Sequence, residues 1–256
     1  QEVTSCPDTI PLEQVYTLTD PRDNQTYKVA RLKDGKCWMV ENLNLAGNTA
    51  LSADNTDVTS AYISSFSTSN NLTKTGNTIV LPTSSTSGFS SNNYSYVYNS
   101  GNKTNNCADP GCYSYYSWDA ATLGSGRTIA TENTDAPYSI CPKGWRLPTS
   151  GGQSNNEWKR GDFYKLATAY GANLESSFYD SSYATGADFY NNAGPNTTVP
   201  KFLLAGYYVN DSFGDGGGSG LYWSSTSSSS TSIARRLLFD SSLVHSAYSL
   251  NRYYGF

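Results

Sequence analysis

The chain has 256 residues, of which 37% are hydrophobic, 14% aromatic and only 15% charged, with a formal net charge of −4. Disordered chains pair few aromatics with high net charge, and nucleic-acid binders need a basic footprint, so the composition argues against both. A folded, neutral-polar protein is expected, kept in solution by Ser, Thr, Asn and the 21 Tyr, as in secreted and surface proteins. No apolar run approaches the ~20 residues that a membrane-crossing helix needs. No leader with a basic start and an apolar middle is visible, and a chain opening at Gln1 reads as the mature form of an exported protein.

In chain order, residues 16–45 read as a short β-meander. The stretch "VYTLTD" alternates, "DPRDNQ" carries turn chemistry with Pro21 presetting φ, and "TYKVARL" alternates again. An Asp-Gly hairpin turn, "KDGK", then leads into "CWMV", a third and more buried strand. Residues 46–111 turn Ser/Thr/Asn-rich, broken by short apolar pieces such as "AYISSF" and "TIVLP". They are read as an insertion with little regular structure of its own, packed on the domain by those pieces.

Within the insertion's end, Cys107 and Cys112 flank Pro110 and Gly111, which turn the chain, so a small disulfide loop is expected there. Zinc would need a second Cys/His pair at ligand spacing, and His245 is the only histidine. The total of five cysteines is odd.

The segment "YSYYSWDAATLGSG" resembles a strand end running into a short helix. The clearest helix is "SNNEWKRGDFYKLATAYGAN". Ser154 and Glu157 form a capping box, while Trp158, Phe163, Leu166, Ala167 and Tyr170 give an apolar stripe. Gly171 suits the left-handed position at its end. Strands return from Lys201 in "KFLLAGYYV", followed by the glycine-rich "NDSFGDGGGSG" and then "LYWSS", "SIARRLLFD", "SLVHSAY" and "NRYYGF". The run "SSTSSSSTS" after Trp223 is read as a short loop joining two strands, its small hydroxyls leaving room for a ligand.

"CPKGWRLPT" (residues 141–149) has a structural job on physical grounds. Pro142 and Pro148 fix φ, Gly144 permits a bend, Trp145 is large enough to seal a core, and Arg146 can satisfy several carbonyls. It holds no nucleophile paired with a base. Elsewhere His245 is the lone imidazole, and Asp188, Asp211, Asp215 and Asp240 are scattered among loops, so no catalytic residues are assigned.

Three stretches taken in order resemble a known family. They are "DPRDNQTYKVARLKDGKCWMVENLNL", "YSICPKGWRLPTSGG" with the following "NEW", and the closing "AGYY", "GLYWSST", "LLF" and "RYYGF". Together they resemble the Fibrobacter succinogenes major paralogous domain, a family of exported bacterial proteins, over residues 16–256 apart from the insertion. The resemblance implies an α+β, C-type-lectin-like single domain with a small, twisted, mostly antiparallel sheet, flanking helices and long loops. It is similar in fold to the formylglycine-generating enzymes, which work through a cysteine pair late in the chain. Nothing after Cys141 is a cysteine here, so that chemistry is not carried over. The resemblance also implies Cys6–Cys37 and Cys107–Cys112 disulfides. Family members commonly continue past "RYYGF" with a cysteine-bearing strand, which would supply a partner for Cys141.

The expected ligand-binding set is Tyr207, Tyr208, Asn210, Tyr222, Trp223, His245, Tyr248, Asn251, Arg252 and Tyr253. Rigid rings with small adaptable polar groups make a good paratope for a surface glycan or protein. Asn210, Asp211 and Asp215 are a candidate calcium loop, without the EF-hand pattern. The expected function is a non-catalytic, exported bacterial cell-surface binding or adhesion module. The alternative is a pilus or other appendage subunit that self-associates into filaments.

Overall fold

The computed structural model describes residues 10–67, 71–83, 97–99, 114–180, 186–194, 202–210 and 212–256. The chain is mixed α/β, with short helices and several small, mostly antiparallel sheets. Among the described residues no helix is long and apolar enough to cross a membrane.

The N-terminal meander forms as its alternation predicts. Strands β1 (Val15–Asp20), β2 (Gln25–Arg31) and β3 (Cys37–Met39) pair antiparallel in that order. Asn24, at φ 58°, turns the first hairpin, and Gly35, at φ 80°, turns the second. Beneath the first turn, the Arg22 guanidinium grips the Asp20 carboxylate with both side chains fully buried. The same guanidinium donates to the Ile140 carbonyl, 118 residues away.

The insertion is more regular than its composition suggests. Strands β4 (Ala50–Leu51), β5 (Thr73–Thr75) and β6 (Thr78–Val80) form a small sheet of order β4-β6-β5, and "AYISSF" lies in helix α1 (Ser60–Ser65). Thr59 caps that helix by accepting from the Tyr62 amide. Leu51, Val58, Ile63, Leu72, Ile79 and Leu81 are all buried. Backbone that carries such residues inward must pair its own polar groups, which is why this polar segment is folded. Strand β7 (Val97–Asn99) then pairs with β8 (Ser114–Tyr116), which leads into α2 (Trp118–Ala121) as expected.

The capping box does not form. Glu157–Arg160 make a separate 3-10 turn with no side-chain cap bond, and α3 runs only over Asp162–Ala169. Gly161 between them is extended, and a Cβ there would sit 2.3 Å from the Ser150 carbonyl oxygen. Close backbone packing therefore breaks the helix that the apolar stripe predicts. Gly171 takes the expected left-handed conformation, at φ 103°.

Strand β9 (Tyr179–Asp180) is followed by α4 (Gly186–Ala193), which sequence reading misses. Among the described residues of "KFLLAGYYV" only β10 (Tyr207–Val209) is strand, and it pairs with β11 (Ser212–Gly214) from the glycine-rich stretch. The principal sheet has the order β12-β13-β14-β9, with β12 at Gly220–Ser227, β13 at Ile233–Phe239 and β14 at Val244–Asn251. "NRYYGF" is not a strand of its own; it turns back, and Phe256 exchanges two backbone bonds with Tyr116.

The serine run divides. Ser224 and Ser225 belong to the strand expected at "LYWSS", which Thr226 and Ser227 extend, all four buried, while residues 228–232 form the short loop expected between two strands. Ser224 donates to the Arg235 carbonyl, Thr226 to the Asp135 carboxylate and Ser227 to the Thr131 carbonyl. Residues 133–136 lie along this edge, with backbone bonds between Ala136 and Ser225 and between Ser227 and Thr134. Small hydroxyls are needed because a covering segment packs directly on the strand.

The principal sheet is buried on both faces, as the near-continuous burial of β12 and β13 requires. Leu237, Phe239 and Val244 pack with Leu32, Trp38, Phe163, Leu166 and Phe189. Trp223 and Ala234 pack with Tyr116, Trp118, Leu123 and the insertion's Leu51 and Ile79. The insertion is thus part of a shared core.

Candidate functional site

The three motif stretches, far apart in sequence, converge on one cavity of about 340 Å³. Residues 36–43 form one wall, 144–148 with Ile140 and Cys141 another, and Leu221, Tyr222 and Trp223 the β12 side. Phe256 also lines it. A volume of this size falls within the range of small-molecule sites, which are largely apolar with a few polar groups. Trp145 is a half-buried wall of this cavity and does not seal a core, a role filled by the fully buried Trp118.

The cavity's polar edge is an ion cluster. Asp162 receives Lys36 on one carboxylate oxygen and Arg146 on the other, at 2.7 Å. The Thr149 amide, at 2.9 Å, and hydroxyl also donate to it. Burial alone would raise this carboxyl, but the bonds from Arg146, Lys36 and Thr149 outweigh it and hold Asp162 well below the usual carboxylate range. Arg146 is mostly exposed, bonding one neighbouring carbonyl besides Asp162, so the carbonyl-satisfying role expected of it is small.

Cys37 is disulfide-bonded, whereas Cys141 is a free thiol that burial pushes up in pKa. Both line the cavity. The expected partners Cys6, Cys107 and Cys112 lie outside the described residues.

The predicted binding residues divide into two groups, and in the first Arg252 and Tyr208 take structural roles. Arg252 is fully buried: Nε donates to Ile233, Nη1 to Gly126 and Arg127, and Nη2 to Ile129 and Ser230, all backbone carbonyls. Its guanidinium stacks 4.2 Å above the Trp118 ring. Tyr208 is buried against Tyr115 and Phe213. Trp223 is buried and donates its indole N–H to the Tyr116 carbonyl, and it lines the cavity. Tyr222 also lines the cavity, but its hydroxyl is engaged with both the amide and the carbonyl of Leu203.

The second group remains half-exposed and gathers around a residue that sequence reading passes over. Arg236, in the middle of β13, lies opposite Trp223 on one side and Tyr248 on the other. It is only 5% exposed, yet Nε and Nη1 have no hydrogen-bond partner. Its guanidinium sits 4.8 Å from the Tyr248 ring centre and 5.0 Å from that of Phe256. Tyr207 packs on Tyr254, Tyr254 on Tyr253 and Phe256 on Trp223, completing an aromatic cluster. Burial lowers the Arg236 pKa to about 10, against the pull of Tyr248, Tyr254, Tyr207 and Asp215.

His245 adjoins the cluster, stacked 3.8 Å from Tyr179 and edge-on to Tyr248, with its pKa lowered to about 4 by burial and by Arg236. Asn251 donates to the Tyr253 hydroxyl. The signal for Arg236 was present in "IARRLLF". Successive strand residues face opposite ways, so two adjacent arginines in an apolar strand must both be explained.

Asn210 and Asp215 are exposed on the β10–β11 ribbon and the turn after it, and Asp211 lies outside the described residues. Among the described residues no group of three or more His, Cys, Asp or Glu is placed to hold a metal. Comparison with family models, with curated proteins and with solved structures gave no match.

Proposed function

We propose that this chain is an exported, surface-displayed binding module of C-type-lectin-like type, akin to the Fibrobacter succinogenes major paralogous domain, that takes its ligand on the cavity and the adjoining aromatic cluster. The observation that carries this reading is the convergence of the three motif stretches on the one 340 Å³ cavity. Residues that served only a core would have no reason to leave Trp145 and Tyr222 half-buried around open space. Phe256 lines the cavity and also lies against Arg236, so the two regions share a border.

The test is a glycan and protein array probed with the whole chain and with Trp145→Ala. At least one ligand class is expected to be captured, with affinity falling at least about tenfold in the variant. Capture of nothing, or capture indifferent to Trp145→Ala, would sink the reading. Filaments in negative-stain images would replace it with the appendage subunit.

A further inference from the structure

Adjacent arginines on β13 meet different fates. Arg235 is 2% exposed and has an acidic partner, with Nη2 to Glu132 at 2.6 Å and Nη1 to the Ser249 hydroxyl at 2.5 Å. Arg236 is nearly as buried and has no such partner. A buried charge with no bonded counter-ion, Asp215 acting on it only at a distance, costs free energy that stacking on Tyr248 and Phe256 offsets only in part. Retaining that charge makes physical sense if something from outside completes it.

The surroundings define what that something is. The planar fork of an arginine matches a carboxylate, which can accept two parallel N–H bonds. The rings around it, Tyr207, Tyr248 and Tyr254, are half-buried, so the cluster reaches solvent, although Nε and Nη1 of Arg236 lie beneath it. Their faces suit the flat C–H faces of a pyranose, and their hydroxyls both donate and accept.

We infer that Arg236 and the tyrosines around it form a subsite for the carboxylate of an acidic saccharide, such as a uronic-acid residue. The inference rests on the binding-module reading and narrows it to an anionic ligand.

The experiment compares glucuronate-containing oligosaccharides with neutral glucose oligosaccharides of the same linkage and length, and with an Asp/Glu-rich peptide. Each is titrated by calorimetry into the whole chain, Arg236→Met and Arg236→Lys. The acidic sugar is expected to bind at least about tenfold more tightly than the neutral one. Arg236→Met should abolish that preference, and Arg236→Lys, which keeps the charge but loses the fork, should reduce it.

Thermal unfolding separates ligand recognition from a structural role. Arg236→Met should unfold at the wild-type temperature or higher, because it removes an unpaired buried charge. Arg235→Met, which strands Glu132, should unfold lower. Equal binding of acidic and neutral sugars overturns the inference but leaves a binding module. Preference retained in Arg236→Met, or binding of the acidic peptide alone, also overturns it. No binding by any probe sinks the inference, while the array experiment decides the wider reading separately.

Discussion

At the residue scale, the molecule separates cations by the partners they find. Arg252 distributes its donors over five carbonyls from two segments, residues 126–129 and 230–233, so removing it strands several partly buried acceptors at once. Arg252→Met is expected to cost on the order of 3–5 kcal/mol in a denaturant titration. Arg252→Lys should recover only part of this, since an ammonium cannot span the same fan. Equal stability of Arg252→Met and wild type would remove the hub role. None of this was legible in "NRYYGF", where an arginine among tyrosines looks like a paratope; chemistry suited to binding is equally suited to closing a core.

Two buried titrating groups pull stability in opposite directions. Asp119 is raised from 3.8 to about 6, because burial outweighs the attraction of Arg252 and Arg127. The native state therefore holds more protons than the unfolded chain over that window, and Asp119 makes stability fall as pH rises through it. His245 is lowered from 6.5 to about 4, so the unfolded chain holds more protons there and stability rises with pH. Between about pH 4 and 6 the two oppose each other. Asp119→Asn should steepen the rise in unfolding midpoint with pH, by up to about 1.4 kcal/mol per pH unit. An unchanged pH slope in that variant would show that Asp119 does not titrate in this window.

At the scale of elements, the legible parts were those whose local pattern needs no distant partner. The meander follows from alternation plus Asn24 and Gly35, all within 30 residues. β12 was legible at "LYWSS" but not at its end. Thr226 and Ser227 extend the strand where residues 133–136 cover its edge and Asp135 accepts from the Thr226 hydroxyl, a tertiary event that the sequence does not announce locally. α3 was misread for a related reason, its first turns being cut off by packing at Gly161. The start of β12 is equally constrained: a Cβ on Gly220 would fall 2.2 Å from the Phe239 ring, on the neighbouring strand. Gly220→Ala is therefore expected to destabilise by about 1–3 kcal/mol in thermal or denaturant unfolding. A neutral effect would mean that Phe239 can swing aside at no cost.

At the scale of the whole molecule, the question is whether the segments before and after residue 110 are separate units. Both cores draw on both halves: Leu32 and Trp38 pack with Phe163 and Leu237, and Leu51 and Ile79 with Trp118 and Trp223. Arg22 reaches Ile140, and the Tyr116 hydroxyl donates to the Leu45 carbonyl, 71 residues away. Splitting the chain would expose one face of each core, and neither half would retain enough buried apolar area to offset its chain entropy. Expressed separately, residues 1–110 and 111–256 are expected to show no cooperative unfolding, whereas the intact chain should melt in one transition. Two fragments that each melted cooperatively would establish independent domains. The cavity would then lie between units free to move, and the binding surface would lose the rigidity that makes an aromatic cluster selective.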